Sequence, residues 1–405
     1  MNRFRLLSAC LVLILALLAC AFGPTTQNPT PDVNAIVQQT MAALTASAPL
    51  ASATVEPLDE GILPHALYFL APDAAGISQI FRLAKDAKTR SQVTFEPAEV
   101  KSYDVNWNDG RVVYISNNQM LIIKWDGSGR QLLLDGGAPD VNNPFLNTIQ
   151  SVAWSPDGQT IAYGYQGLNL YATATGISNR VLENQLRDMG GGFILPEEMY
   201  FPDSFSPDGT KILLTLGYYE GASAAIYYPS SKSLVRLSGG EGALICCGEE
   251  NWSADSSALY AANPQIGMYM PGLWRVDVSN GKVTTILPGD PGNNTFNFAD
   301  EPLLGPDGQL YFFFANAPQS PEPPMRMPLQ IVKSAPDGVT GRTVIIPTTF
   351  ETMTESLWSP DASYVVVAIA QNDQTWQGGQ LEYIALSGYA RIVLAPFGRM
   401  LKWGP

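Results

Sequence analysis

The sequence has few residues of the types that build metal centres and nucleophilic active sites. Its 405 residues include one histidine, His65, and four cysteines. No Cys-x-x-Cys or His-x-x-x-His spacing occurs, so a zinc or copper site has no ligand set to draw on. Neither a Gly-x-Ser-x-Gly elbow nor a Gly-x-x-x-x-Gly-Lys loop is present. We therefore predict no enzymatic activity, no catalytic residues and a structural or solvent-facing His65.

Charged residues are also scarce, and negative charge prevails among them. Only 15% of the residues are charged, and the formal net charge is −14. Without Arg3 and Arg5, which lie in a segment that we expect to be cleaved, it becomes −16. An acidic surface repels phosphate backbones, so nucleic acid is not expected as a partner. The 46% of hydrophobic residues suffices for a large core and argues against wholesale disorder.

The first 20 residues have the pattern of a bacterial lipoprotein signal. Two arginines precede an apolar run from Leu6 to Ala19, which is short for a membrane span, and Cys20 follows. The run ends in Leu17-Leu18-Ala19-Cys20, which resembles the bacterial lipobox. We predict a signal peptide over 1–19, lipidation of Cys20 and an extracytoplasmic protein anchored to the cell membrane or outer membrane. The alternative is an ordinary signal peptide with a chance cysteine.

Residues 20–61 form a lipidated N-terminus and a tether. The stretch is rich in Pro, Thr, Ala and Ser and poor in aromatic residues, which is typical of an exposed linker. The remainder, 62–405, is predicted to fold as one domain.

A five-residue motif recurs through this domain. Trp154-Ser155-Pro156-Asp157-Gly158 is its most complete copy, and a β-rich run follows it. Further copies, some degenerate, begin at Trp107, Phe205, Trp252, Leu304 and Trp358. The copies are 47 to 54 residues apart, and a period of this length is typical of propellers and solenoids.

The chemistry of the motif selects a propeller. Pro presets the backbone angle of a turn and Asp-Gly continues it, so each copy predicts a hairpin between two strands, with two more β-rich runs behind it. The anchor aromatics keep a fixed phase with the turn, which predicts that they form core between blades. The motif resembles that of the TolB-like propellers with WD40-like Pro-Asp repeats, and this resemblance implies an all-β fold without fixing a function.

The last residues of the sequence predict the number of blades. Three strand candidates precede the first anchor, and Trp403-Gly404-Pro405 repeats the start of the motif at the C-terminus. We predict seven four-stranded blades, with the C-terminal strand pairing into blade one to close the ring. Six blades, with the leading strands packed elsewhere, are the alternative.

Two further features are candidates for chemistry. Acidic residues recur just ahead of the anchors, where the inner strands could gather them at one mouth of the channel: Asp104, Asp203, Glu249, Glu250, Asp300, Glu301 and Glu355. Such carboxylates attract Ca²⁺ or a basic peptide, although ordinary acidic surface loops are the favoured explanation. No other cofactor is predicted. Cys246 and Cys247 are adjacent, and a vicinal disulfide, two reduced thiols or an intermolecular pair are open alternatives.

Two blades carry long insertions, around Pro318–Met325 and Met268–Leu273, and long loops on a rigid propeller commonly carry binding sites. We therefore expect a monomeric, non-enzymatic scaffold that binds a protein or peptide. The alternatives are a propeller lyase or glycoside hydrolase that uses the channel carboxylates, and a structural propeller stiffened by Ca²⁺.

Overall fold

The chain forms a ring of antiparallel sheets in the computed structural model, which describes residues 62–240, 243, 245, 251–267, 269–320 and 326–405. These residues contain β-strands and one short 3-10 helix, Pro144–Leu146, and no α-helix is found among them. The sheets divide into seven blades built on four strands each. The predicted all-β propeller is confirmed.

The first four blades follow the chain in order. Blade one takes β1 (Ala66–Pro72), β2 (Ser78–Leu83) and β3 (Arg90–Gln92). Blade two has β4 (Val100–Val105), β5 (Val112–Ser116), β6 (Gln119–Ile123) and β7 (Gln131–Asp135). Blade three has β8 (Val152–Trp154), β9 (Thr160–Gly164), β10 (Gly167–Ala172) and β11 (Ile177–Glu183). Blade four adds a short β12 (Gln185–Asp188) to β13 (Ile194–Phe205), β14 (Ile212–Tyr218), β15 (Gly221–Tyr228) and β16 (Ser233–Arg236).

The last three blades repeat this arrangement. Blade five adds a short β17 (Ser238–Gly239) to β18 (Asn251–Trp252), β19 (Ala258–Asn263), β20 (Gly272–Asp277) and β21 (Lys282–Pro288). Blade six has β22 (Thr295–Leu304), β23 (Leu310–Pro318), β24 (Leu329–Ser334) and β25 (Thr343–Phe350). Blade seven has β26 (Met353–Trp358), β27 (Tyr364–Ile369), β28 (Gly379–Ala385) and β29 (Arg391–Gly404). The inner strands of neighbouring blades contact one another along the inner wall of the ring, as β4 does with β8, β8 with β13, and β26 with β29.

The long strand β29 closes the ring. Its first part pairs with β28 as the outer strand of blade seven, with Gly379 opposite Gly398. Its second part pairs with β1 as the inner strand of blade one, with Leu67 opposite Trp403 and Tyr68 opposite Lys402. The prediction of seven blades closed by the C-terminal strand is confirmed, and the six-bladed alternative is wrong.

The recurring motif forms the predicted hairpin turn. In blade three the Ser155 hydroxyl donates to Asp157 Oδ1 over 2.5 Å and accepts a hydrogen bond from the Thr160 N–H over 2.9 Å. Gly158 takes the left-handed backbone with φ +69° that ends the turn. The Ser155 hydroxyl and the Gln159 N–H hold the pKa of Asp157 below its usual value. The serine thus ties the turn to the strand that follows it.

The anchor aromatics lie between blades, with one exception. Trp154, Trp358 and Trp403 are buried, whereas Phe205 and Trp252 are half-buried. Trp403 Nε1 donates to the carbonyl oxygen of Trp358 in the preceding blade over 2.8 Å. The prediction of an interblade core is therefore confirmed for these residues. It is wrong for Trp107, which is 42% exposed because it lies inside the hairpin turn. Val105, opposite Val112, takes the place in blade two that Trp154, opposite Ile161, has in blade three.

Candidate functional site

Antiparallel pairing places the connections within each blade at two opposite ends of the ring. The motif turns and the links between third and fourth strands lie at one end, which we call the hairpin end. The links between second and third strands and the links between blades lie at the other, which we call the loop end. The long connections 136–151, 264–271 and 319–328 all lie at the loop end. A binding surface is therefore sought there first.

A cavity of about 300 Å³ lies at the loop end among blades five, six and seven. Its walls include Pro264 and Gln265 between β19 and β20, Arg326 and Met327 between β23 and β24, and Glu351 between β25 and β26. Its lining is Ala262, Asn263, Pro264, Gln265, Asp300, Glu301, Arg326, Met327, Leu329, Phe350, Glu351, Met353, Thr354 and Trp376. The insertions named from the sequence are adjacent to these lining segments along the chain, and the sequence did not indicate the residues that give the cavity its chemical character.

Arg326 and Trp376 are the most distinctive pair in this cavity. The guanidinium carbon of Arg326 lies 4.7 Å from the centre of the Trp376 ring. Arg326 Nη2 donates to the carbonyl oxygen of Thr375 over 2.5 Å, whereas Nη1 is buried and has no hydrogen-bond partner in the part of the chain that the structure describes. Burial lowers the pKa of Arg326 from its usual value. A desolvated cationic donor without a partner favours a ligand that brings an acceptor oxygen.

The other polar groups of the cavity differ in whether they are exposed or already used in hydrogen bonds within the chain. Asn263 is occupied in shaping its loop, because its amide donates to the carbonyl oxygens of Gln265 and Met270. The side chains of Gln265 and Glu351 are exposed. Trp376 is 48% exposed and offers an aromatic surface at the rim. The cavity therefore combines a cation, a carboxylate, an amide and an aromatic ring.

A second groove, of about 890 Å³, lies at the loop end between blades two and three. Its central amide, Asn118, donates to the carbonyl oxygens of Gly137 and Asn147 and accepts a hydrogen bond from the Ile149 N–H. These bonds fold the connection 136–151 and leave Asn118 with its bonding capacity largely satisfied. The first cavity is the better candidate, since Arg326 still has a donor to offer.

The recurring acidic residues link neighbouring blades. Glu355 accepts hydrogen bonds from the Met400 and Leu401 N–H groups over 2.7 and 2.5 Å. Glu301 accepts one from Ser356, and Asp104 accepts one from Trp154. In each case the acceptor carboxylate lies on one inner strand and the donor on the inner strand of the next blade. Asp300 accepts a hydrogen bond from the neighbouring Glu301 N–H. Three of the predicted channel residues thus serve as connections between inner strands.

Lys402 brings positive charge to these carboxylates. Its ammonium nitrogen lies 3.6 Å from Asp104 Oδ1, and its charge also acts on Asp203 and Glu355. Burial raises the pKa of Asp203 to about 7, opposed by a 2.8 Å hydrogen bond from the Thr215 hydroxyl and by Lys402. Burial also raises the pKa of Glu355. The structure therefore places Lys402 among carboxylates from blades two, four and seven.

Asp203→Asn is expected to remove one source of pH dependence. The folded pKa of Asp203, about 7, lies above the value near 3.9 of an unfolded aspartate. Between these values the native state binds more protons, so its stability falls as pH rises and stays low above pH 7. Asn keeps an oxygen for the Thr215 hydroxyl but cannot ionise.

Thermal melts from pH 5 to pH 8 measure this effect. The melting temperature of the wild type, relative to that of Asp203→Asn, should fall by about 2 °C or more over this range. Asp135→Asn, an exposed aspartate, is the matched control. Parallel curves for the wild type and Asp203→Asn would contradict the raised pKa.

No group of three or more His, Cys, Asp or Glu side chains that could hold a metal ion occurs among the described residues. His65 lies at the hairpin end, with its ring 4.7 Å from that of Trp107 and 6.4 Å from that of Trp403. Burial and the charge of Lys85 lower its pKa. His65 thus lies at the opposite end of the ring from the cavity.

The remaining predicted site residues fall outside the described part of the chain. These are Cys20, Cys246, Cys247, Glu249 and Glu250. Lipidation and the vicinal disulfide accordingly stay predictions. Among the residues that the structure does describe, no helix is long and apolar enough to cross a membrane.

Comparison with protein-family models and with curated proteins finds no match. Solved structures do resemble the chain. An oligogalacturonate lyase in complex with manganese is 11% identical, with a TM-score of 0.50 over 81% of this chain and 84% of that one. TolB from Acinetobacter baumannii is 16% identical, with a TM-score of 0.42 over 87% and 89%. A protein from Lactobacillus plantarum is 14% identical, with a TM-score of 0.48 over 84% and 99%.

Identities of this size show the fold alone. The lyase structure, with its TM-score of 0.50, agrees with the blade architecture. No substrate, metal or partner is transferred from any of these proteins to this chain. The chain is a seven-bladed β-propeller.

Proposed function

We propose that this chain is an extracytoplasmic, lipid-anchored propeller that binds a protein or peptide in the cavity among blades five, six and seven. The export signal and Cys20 support the location. The fold supports a rigid ring that presents loops at one end. The cavity supplies a site lined by residues of three blades.

One observation supports this choice of binding site. Arg326 Nη1 is buried beside an exposed aromatic ring and lacks a hydrogen-bond partner among the described residues. An unpaired buried donor costs free energy, and a bound acceptor would recover it. Arg and Trp are also the residue types that most often dominate binding energy at protein interfaces. A peptide segment with a carboxylate that reaches Arg326 and an apolar group against Trp376 fits this chemistry.

The enzymatic alternative has less support from the geometry. A lyase or glycoside hydrolase would need channel carboxylates that are free to act as acid and base. Glu355, Glu301 and Asp104 instead accept hydrogen bonds from backbone N–H groups of the next blade. The propeller stiffened by Ca²⁺ would need a cluster of carboxylates, and the described residues hold no such group of three.

Peptide selection tests the binding site. A random peptide library would be panned against the mature, lipidated protein in detergent, and enriched peptides would be titrated by fluorescence anisotropy. We expect acidic residues next to apolar ones in the enriched set. Arg326→Ala and Trp376→Ala should each weaken binding by about 30-fold, the effect of losing an interface hot spot of about 2 kcal/mol.

Trp125→Ala is the matched control for the same titration. Trp125 is 43% exposed, close to the 48% of Trp376, but lies at the hairpin end. Its replacement should leave the affinity unchanged. Enriched peptides that bind the wild type and Arg326→Ala equally well would show that the cavity is not the binding site.

A further inference from the structure

An aromatic patch lies at the hairpin end, where blades one and two meet. We call Ile62, His65, Trp107 and Trp125 the seam patch. Ile62 and Trp107 are each 42% exposed and Trp125 is 43% exposed. Exposure of two tryptophans and an isoleucine at one place is unusual for a surface that has no partner.

Contacts between the two blades hold the patch in place. The ring of His65 lies 4.7 Å from that of Trp107, and the guanidinium of Arg82 lies 4.8 Å from the ring of Trp125. Gly110 sits in a tight space, since a Cβ there would lie 3.3 Å from Trp125 Cβ and 3.4 Å from Pro405 Cγ. The seam patch is thus part of the ring closure and keeps a defined shape.

Lysines border the seam patch, and so do aspartates, including Asp361, whose charge acts on His65. Lys88 and Lys124 are exposed, Lys85 is half-buried, and none of the three forms an ion pair with a described residue. The aspartates of these turns are engaged locally. Asp109 pairs with Arg111, while Asp86 and Asp126 accept backbone N–H groups of their own turns.

The charge of the domain is also uneven along the sequence. Residues 62–135, which form the first two blades, contain eight basic and eight acidic residues. Residues 136–405 contain 13 basic and 25 acidic residues. The first two blades, to which the seam patch belongs, therefore carry no net charge, whereas the other five are acidic.

We propose that the seam patch docks on an anionic phospholipid surface, the membrane to which the chain is tethered. The position of the tether supports this occupant, because residues 21–61 lead from Cys20 to Ile62, a member of the patch. A random-coil chain of 41 residues would have a root-mean-square span of roughly 35 Å. Lipidation, on which this step rests, would hold the patch close to the bilayer at a high effective concentration, so weak docking suffices.

The chemistry of the seam patch fits the interface between headgroups and acyl chains. Tryptophan rings are amphipathic and favour this region. Lysines at the rim can keep their ammonium groups at the headgroups while their stems lie along apolar surface. Each basic residue near an anionic leaflet strengthens binding roughly fivefold. Docking in this way would turn the loop end, with its cavity, away from the membrane and toward a partner.

Tryptophan quenching by brominated lipid tests this orientation. The mature, lipidated protein would be reconstituted in vesicles that contain anionic phosphatidylglycerol, with and without bromine on the acyl chains. We expect quenching in the wild type and a decrease of about threefold or more in Trp107→Phe/Trp125→Phe, which removes the reporters but keeps the rings. Lys88→Gln/Lys124→Gln should weaken docking by roughly 25-fold and decrease quenching as well.

Trp376→Phe is the control at the loop end and should leave the quenched fraction unchanged. Flotation of the vesicles reports the lipid anchor, whereas quenching reports the seam patch, so the two proposals can fail separately. Protein that floats with the vesicles but shows no quenching would overturn the proposal. Quenching that disappears in Trp376→Phe and persists in Trp107→Phe/Trp125→Phe would also overturn it, because the loop end would then face the lipid.

Discussion

Removal of residues 400–405 is expected to destabilise the whole propeller and not only its last strand. Leu401 and Trp403 are 4% and 9% exposed and share a core with Leu67 and Phe69 of blade one. Burial of Leu401 contributes about 2 kcal/mol, and loss of a buried tryptophan costs about 3–5 kcal/mol. A domain of this kind has a total stability of about 5–15 kcal/mol. The truncated chain should melt more than about 10 °C lower or fail to fold.

Circular dichroism melts of the full chain and the truncated chain measure this effect. Removal of Pro405 alone is the control, because this residue is exposed and lies beyond β29. It should leave the melting temperature within about 1 °C of the wild type. An unchanged melting curve after removal of residues 400–405 would show that the pairing of β29 with β1 does not hold the ring together.

The closure of the ring could be predicted because it rests on local chemistry that repeats. The Ser-Pro-Asp-Gly turn uses the same serine and aspartate bonds in blade three as in blade four, where the Ser206 hydroxyl donates to Asp208. A repeat of this kind fixes the phase of every strand. With this phase, Trp403 matches the inner strand of blade one.

The role of the acidic residues could not be predicted, because it depends on backbone irregularities. Register shifts interrupt five inner strands near these positions: between Tyr68 and Leu70 in the pairing of β1 with β29, Val100 and Ser102 in β4, Pro202 and Ser204 in β13, Asp300 and Leu303 in β22, and Met353 and Glu355 in β26. A bulge re-aims the side chains around it. Carboxylates that an ideal strand would direct into the channel instead reach the next blade.

The residues of the cavity could not be predicted from the sequence, for a different reason. Sequence length alone indicated the insertions around Pro318 and Met268, and the residues that line the cavity, among them Gln265 and Arg326, lie next to them along the chain. Arg326 and Trp376 are 50 residues apart and belong to different blades. Neither occupies a repeated position, so no pattern in the sequence linked them. The exposure of Trp107 could not be predicted either, because the turn of blade two is displaced against the sequence motif and Val105 takes the buried anchor position.

Glu355→Ala is expected to weaken the closure at a single side chain. Glu355 accepts hydrogen bonds from two successive N–H groups, those of Met400 and Leu401, on the inner strand of blade one. Met400 has a left-handed backbone with φ +52°, and its amide and the following one both reach this carboxylate. Alanine would leave both donors without this acceptor. Hydrogen bonds to a charged group contribute about 1.5–3 kcal/mol each, so a loss of about 3 kcal/mol in the free energy of unfolding is expected.

Glu355→Gln separates the hydrogen bonds from the charge. Glutamine keeps an acceptor oxygen, and burial raises the pKa of Glu355, which means that the ionised form is held at a cost. The free energy of unfolding of Glu355→Gln at pH 7, measured by urea titration, should therefore lie between those of the wild type and Glu355→Ala and closer to the wild type. Equal stability of all three proteins would show that these bonds contribute nothing to the closure. If the free energy of unfolding falls as much in Glu355→Gln as in Glu355→Ala, the effect belongs to the negative charge of Glu355, on which Lys402 and Arg399 act.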